Sequence, residues 1–247
     1  MNSRAFIVRL ACSASCAAMF GWSTGASAQD RRPGTEAGRG FFEIGYAALD
    51  LDALNTSLTT AGYPRLNGSM LTFGGGGYGD RGHWLFGGEG HGLLGDDKNT
   101  TDGAYQVSLS GGYGMFRIGY KVVQRRSVDV YPSVGIGGGG ISLDIKGRSA
   151  PLFGDILANP ARSSHLSTGS FLLDVGVSAN YLIHTPQKTA EAEGGLVIGV
   201  NAGYTFAPGT PKWELDGINS VSGGPSVKLQ GFHVRFAFGG WSRKPHQ

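Results

Sequence analysis

Three groupings in this 247-residue chain have the residue types and spacing to do chemistry. His165-Leu166-Ser167 sets an imidazole two residues from a hydroxyl. An imidazole close in space can take the proton of a serine that attacks an ester. A complete triad also needs a carboxylate to orient the imidazole. The stretch that follows holds no Glu, and Asp174 is its only acid. His83, Glu89 and His91 share one face of an extended segment, where they would offer a metal nitrogen and oxygen ligands. Same-face residues of a strand are also simply neighbours, so a hydrogen-bonded interior is the plainer account, and no metal or other cofactor is expected. Gly135-Ile136-Gly137-Gly138-Gly139-Gly140 matches the Gly-x-Gly-x-x-Gly pattern of a phosphate-cradling turn. That pattern needs a helix next. Ile141-Ser142-Leu143-Asp144-Ile145 alternates like a strand instead, so the glycines read as places of close strand approach.

The elements that must position these residues are strands. Period-two alternation marks eight stretches. In the first, Phe41 to Leu49, Phe42, Ile44, Tyr46 and Ala48 oppose Glu43, Gly45 and Ala47. The second, about Ser69 to Tyr78, is glycine-heavy. The third, His83 to Leu93, sets Trp84 and Phe86 opposite His83, Leu85, Gly87, Glu89 and His91. In the fourth, about Ala104 to Val122, the apolar set changes phase near Met115, which a bulge would explain. The fifth, Ser127 to Ile145, carries Pro132. The last three are the cleanest: Phe171 to Tyr181, Leu196 to Tyr204 and Phe232 to Phe238. Short connections at 79–82 and 124–126 and a medium turn at 184–193 alternate with a moderate loop at 95–103 and long ones at 50–67, 146–168 and 207–227. This is the rhythm of an outer-membrane barrel with both termini on the short-turn, periplasmic side.

Residues 1–28 read as a cleavable signal peptide. Arg4 and Arg9 precede an apolar run, and Ala26-Ser27-Ala28 is a small-x-small cleavage site. Residues 29–39 read as a periplasmic N-terminal tail, 40–242 as the barrel and 243–247 as a C-terminal tail. Cys12 and Cys16 both fall in the signal, so the exported chain has no disulfide framework. Its remaining charges nearly balance, which gives no electrostatic reason to expect nucleic acid as a partner. With 44 glycines, 11% aromatic and 16% charged residues, the chain is poor in charge and rich in strand formers. Past the signal, no apolar run is long enough for a spanning helix, so a membrane would have to be crossed by a closed barrel.

Which face looks outward follows from composition. A soluble barrel shows water a face rich in Lys, Glu and Arg. Here the polar face holds mostly Gly, Ser, Asn and Thr with isolated charges, which suits a narrow lumen. The expected lumen network is Glu43, Glu89, His91, Asp174, Asn180, Asn201, His233 and Arg235, paired because an unpaired charge in a dehydrated interior is costly. Aromatics at strand ends form two girdles: Phe42, Tyr78, Trp84, Tyr120, Tyr181 and Phe238 or Trp241 at one, Tyr105, Phe171, Tyr204 and Phe232 at the other.

With that architecture, residues 40 to 242 resemble the small bacterial outer-membrane β-barrels of the OmpA, OmpX and OmpW type. The resemblance implies an all-β fold, a closed antiparallel up-and-down transmembrane β-barrel of eight strands. It also implies a monomer in the Gram-negative outer membrane, in contact with outer-membrane lipid and lipopolysaccharide, exported through the Sec pathway and seated by the barrel-insertion machinery. Members usually end on an aromatic residue, whereas here Pro245-His246-Gln247 follows Trp241. The role implied is structural, surface-interacting or weakly permeable, without catalysis. Two other readings stay open. Some eight-stranded outer-membrane lipid A deacylases carry a His-x-Ser pair with a downstream Glu, which points to an acyl-ester hydrolase using His165 and Ser167. A soluble periplasmic barrel binding a small ligand is the other.

Overall fold

The computed structural model describes residues 36–149, 152–158, 163–185, 193–209, 212–217 and 219–243. The segments read as signal peptide and as the extreme C-terminal tail lie outside them. Eight long strands build the fold: β1 (Glu36–Leu49), β2 (Ser69–Arg81), β3 (Trp84–Asn99), β4 (Tyr105–Tyr120), β5 (Val128–Gly147), β6 (Ser163–His184), β7 (Glu193–Phe206) and β8 (Gly231–Arg243). Each pairs antiparallel with the next, and β8 pairs with β1 from Leu49↔Gly231 to Ala37↔Arg243, so the sheet closes on itself. Closure leaves no free edge among these strands, the condition for a sheet in lipid. β1 begins at Glu36, inside the segment read as a tail, because Ala37 to Arg39 pair with both β8 and β2.

Along β1, β6, β7 and β8 the alternation is strict. Phe42, Ile44, Tyr46, Phe171, Leu173, Val175, Leu196, Ile198, Val200, Val234, Phe236 and Phe238 are exposed on the outer wall. Glu43, Asp174, Ser178, Asn201, His233 and Arg235, one residue away in each case, are buried inside. The barrel is therefore inside-out relative to a water-soluble one.

The bulge expected near Met115 is absent. β4 pairs without interruption, Ser110 to Tyr120 with β3 and Tyr105 to Gly119 with β5. The irregularity lies in β3, between Leu94 and Asp97. What changes near Met115 is the chemistry of the interior, not the direction of the backbone. Val107, Leu109, Tyr113, Met115 and Arg117 all point inward. The first of them enter an apolar core at the loop end, and Arg117 enters a charged one at mid-wall.

That apolar core is built around loop 50–67, which alternation alone reads as a polar connection. It contains a helix, α1 (Asp52–Thr60), with Leu54 and Leu58 on one buried side together with the preceding Leu51. Leucines spaced three and four apart make that helical face apolar. They pack against Met70, Leu93, Val107, Leu109, Ile141, Leu143, Leu172 and Trp213 and stopper the loop end of the barrel. Burying each leucine stabilises the plug by about 1.5–3 kcal/mol, an upper figure because the unfolded chain is already partly compact. Asn55 latches the helix to its return segment, donating from Nδ2 to the Leu66 carbonyl at 3.0 Å and accepting the Leu66 N–H at Oδ1 at 2.8 Å.

Around the plug, β4 to β6 rise above the apolar outer wall. There Ser108, Ser110, Ser142, Asp144, His165 and Ser167 take the outward positions. Above β7 the wall continues as a small hairpin, Trp213–Leu215 with Asn219–Val221, whose first strand pairs with Leu166 to Thr168 of β6.

Candidate functional site

The lumen holds two charged tiers below the plug. Nearer the turn end, Arg39 of β1 donates to Asp80 of β2 at 3.0 Å and to Asp129 of β5 at 2.9 Å. Lys121 bonds the same Asp80 carboxylate, and Asn180 of β6 donates to Asp129 at 2.9 Å. Two cations meet two carboxylates here: strand alternation aims Arg39, Asp80 and Asp129 at the axis, and Lys121 joins them from just past the end of β4.

The middle tier draws on all eight strands. Arg235 Nη1 on β8 lies 3.3 Å from Glu43 and 3.1 Å from Glu89. Arg117 on β4 sets Nε 2.9 Å from Glu89 and Nη2 2.7 Å from Asp174, and donates from Nη1 to Ser133 at 3.1 Å. Tyr78 donates its phenol to Glu89 at 2.9 Å, and Thr205 donates its hydroxyl to Asp174 at 2.7 Å. His233 bridges Asp174, at 3.6 Å, to Asn201, at 3.1 Å, and Asn201 donates to Ser178 at 2.7 Å. His91 stacks on Tyr113 with its Nε2 3.4 Å from Glu43 and 3.7 Å from Glu89. Buried carboxylates held by fork-shaped guanidiniums are the strong form of such pairing.

Ligand atoms of Glu43, Glu89 and His91 lie within 4.8 Å of one another, close enough to share a metal ion. The Arg235 and Arg117 guanidiniums already rest on those carboxylates, and an added cation would have to sit against them. The cluster works as an ion-pair network. Between the tiers, a space lined by Arg39, Tyr78, Tyr131, Asn180 and Asn201 measures about 10 Å³, room for roughly one water.

All eight residues of the expected lumen network point inward and are buried. Asn180 joins the turn-end tier, and the other seven the middle one. The network also contains Arg39, Asp80, Arg117, Lys121 and Asp129, which sequence reasoning passed over. Arg117 and Asp80 were within reach, since each shares lumen parity with an inward neighbour, Met115 or Tyr78. Arg39 hid in the residues taken for a tail, and Lys121 follows the last residue of β4.

Among the girdle residues, Phe42, Trp84, Tyr120, Phe171, Tyr181, Phe232 and Phe238 are exposed on the outer wall, and Tyr204 packs there against Phe206 and Phe232. Tyr105 is exposed as well, at 44%, but differs from them in direction. Its position has lumen parity, and its ring meets Tyr63 of the plug loop at 6.0 Å. Tyr78 and Trp241 are likewise inward, Tyr78 bonded to Glu89 and Trp241 packed with Leu182 and Val197. An aromatic residue near a strand end says nothing by itself about which face it takes. His83, assigned to the lumen face, is an exposed turn residue stacked on Tyr120 at 5.7 Å.

The glycine run 135–140 lies within β5, which continues as strand to Gly147, so no helix N-terminus follows it. His165 and Ser167 lie within β6, on its outward face. Asp144 pairs with His165 in register, and its Oδ1 lies 3.0 Å from His165 Nδ1.

No protein-family model matches the chain, and no curated protein matches it in sequence. Solved structures are similar to it in outline. The attachment invasion locus protein Ail of Yersinia pestis is 12% identical with a TM-score of 0.42, over 85% of this chain and 99% of that one. The likeness to Neisserial surface protein A is 12% identity and a TM-score of 0.39, over 85% and 97%. A major outer membrane protein of Thermus thermophilus gives 12% and 0.41, over 83% and 98%. The resemblance is one of architecture.

Proposed function

We infer that the chain is an exported outer-membrane barrel whose closed, ion-paired lumen makes it a structural or surface-presenting element of the envelope and not a diffusion pore. The observation that carries this reading is the inversion of the wall, with exposed Phe, Ile, Leu and Val outside and buried Glu, Asp, Arg and His inside. Water outside would leave that apolar belt unpaid for, whereas lipid accepts it and isolates the charges within. Residues 1–28 serve as its signal peptide, and the Sec pathway and the barrel-insertion machinery deliver it as a monomer. In that setting the short turns, the start of β1 and the end of β8 face the periplasm. The long connections after β1, β3, β5 and β7 meet lipopolysaccharide and the exterior. An eight-stranded lumen is normally filled by side chains, and here two charged tiers and a leucine plug fill it.

Phe236 offers the test. It lies midway along β8 on the outer wall, 60% exposed. In lipid, Phe236→Arg costs about 2–4 kcal/mol. In water the same change is neutral or helpful. The wild-type protein is expected in the outer-membrane fraction after a urea wash, with the variant unfolding at clearly lower urea in lipid vesicles and no ion conductance from either. Recovery of the wild type from the soluble periplasm, or an unchanged unfolding midpoint for the variant, removes the membrane reading.

A further inference from the structure

We propose that the outer wall carries a docking site for one anionic phospholipid of the periplasmic leaflet, with an acyl chain in a hollow over Ala179 and the phosphate on the Arg125–Arg126 turn. The hollow arises from a change of side-chain size. Across four strands in register, Val130 on β5 stands opposite Ala179 on β6, Ala179 opposite Val200 on β7, and Val200 opposite Phe236 on β8. The next outward row toward the turns is Val128, Tyr181 and Ile198. A single methyl group therefore sits among branched and aromatic side chains that stand out from the sheet. The space left over it is bordered by Val128, Tyr181, Ile198, Val200 and Phe236. Its volume is about 410 Å³, within the range of about 300–1,000 Å³ found for small-molecule sites.

One end of the hollow lies against positive charge. β5 begins at Val128, and the turn before it is Gln124-Arg125-Arg126-Ser127. The Arg125 N–H donates to the Val128 carbonyl at 2.8 Å, and the Ser127 carbonyl accepts the Leu182 N–H at 2.8 Å. The turn is therefore closed onto the strand ends that hold Val128 and Tyr181. Both arginines are exposed. The nearest acid in the chain, Asp129, is turned into the lumen, where Arg39 and Asn180 hold it. Among the described residues no carboxylate pairs with either arginine.

Polarity runs one way along this strip of wall. Two guanidiniums come first, then the girdle residue Tyr181, then an apolar hollow that reaches Phe236 at mid-wall. A phospholipid of the periplasmic leaflet has the same order, with phosphate at the border and hydrocarbon running to the midplane. Guanidinium forks match phosphate oxygens in geometry and charge. Residues 122–128 include no acid, so nothing in the turn receives the ammonium of phosphatidylethanolamine. A headgroup whose only charge is its phosphate suits the turn better. Filling the hollow brings no hydrophobic gain, since the chain lies in hydrocarbon either way. It brings dispersion contacts to a surface whose shape is fixed by the sheet.

The site rests on the membrane reading above, and its test is separate from the test of that reading. The purified protein, in micelles of an uncharged detergent, is titrated with phosphatidylglycerol or with phosphatidylethanolamine of the same acyl chains, and bound lipid is counted by native mass spectrometry. The wild type should hold one phosphatidylglycerol about tenfold more tightly than phosphatidylethanolamine, the scale of two cations beside an anionic lipid. Arg125→Gln with Arg126→Gln should abolish that preference while leaving the urea midpoint in phosphatidylcholine vesicles unchanged. Ala179→Phe, which fills the hollow, should weaken phosphatidylglycerol about fivefold, the scale of roughly ten lost carbon–carbon contacts. Ala179→Leu, a milder filling, should weaken it less. Equal affinity of the wild type for the two lipids, or a preference that survives the loss of both arginines, overturns the phosphate site. Unchanged affinity in both Ala179 variants overturns the hollow as the place of the chain. Many bound copies without saturation mean ordinary solvating lipid and overturn the proposal as a whole. The membrane reading fails on a different result, an unchanged unfolding midpoint for Phe236→Arg.

Discussion

Replacing Arg235 by leucine is expected to lower the stability of the barrel by about 3–5 kcal/mol, the usual result of removing one partner from a buried ion pair. Arg235 is fully buried, and one guanidinium nitrogen serves both Glu43, at 3.3 Å, and Glu89, at 3.1 Å. Without it, Glu89 keeps Arg117 at 2.9 Å, but Glu43 is left buried beside Glu89 and His91. The loss comes from that orphaned carboxylate more than from the missing attraction. A second change should therefore recover part of it. Glu43→Gln in the Arg235→Leu background removes the uncompensated charge, and the two substitutions should couple by about 0.5–3 kcal/mol. Urea unfolding in vesicles, followed by tryptophan fluorescence, measures both. An exposed arginine in a turn, Arg125, is the reference, because its replacement should stay within about 0.5 kcal/mol. If Arg235→Leu behaves like Arg125→Leu, the middle tier does not hold the wall together.

The outer wall is the part of this molecule written most openly in its sequence. Wherever a strand runs between lipid and a polar lumen, as at Phe171 to Tyr181 or Phe232 to Phe238, the side chains alternate by chemistry as well as by direction, and the face of each can be read directly. Alternation fails as a guide at the loop end. There Val107, Leu109, Ile141 and Leu143 turn inward to meet α1, so the apolar residues change sides while the backbone keeps its phase. A reader of sequence sees that exchange as a bulge. The helix is hidden for a related reason: Leu51, Leu54 and Leu58 are scattered among Asp, Asn, Ser and Thr, and only their spacing shows a face. The charged interior was half legible. Glu43, Glu89, Asp174 and Arg235 sit in clear strands, whereas Arg39 and Lys121 lie at or past strand ends that sequence does not locate. Asp144 shows the limit most plainly. It is 21 residues before His165 in the chain and reaches it only through the β5–β6 register, which no local pattern encodes.

Two adjacent glycines on β5 should respond to alanine with opposite signs. Gly137 points into the lumen between Met115 and Leu172. A Cβ there would lie 2.0 Å from the Gly114 carbonyl oxygen and 2.8 Å from the Met115 Cα, both backbone atoms that cannot swing aside. Gly137→Ala must push β4 and β5 apart, and the cost expected is at least about 1–3 kcal/mol, as for other overpacked interiors. At Gly138, facing outward, the nearest atom to an added Cβ is the Ser170 carbonyl oxygen at 3.7 Å, an ordinary contact. Gly138→Ala should stabilise the barrel by about 0.4–1 kcal/mol, because alanine loses less backbone freedom on folding. Urea midpoints of the two variants, refolded side by side into the same vesicles, decide the matter. Equal shifts would mean that the wall bends freely around both positions. Opposite shifts would separate two reasons for glycine in one strand. At Gly137 the barrel itself requires the missing side chain, through the close approach of its own backbone. At Gly138 no atom of the wall meets an added Cβ closely, so the barrel itself does not require the missing side chain.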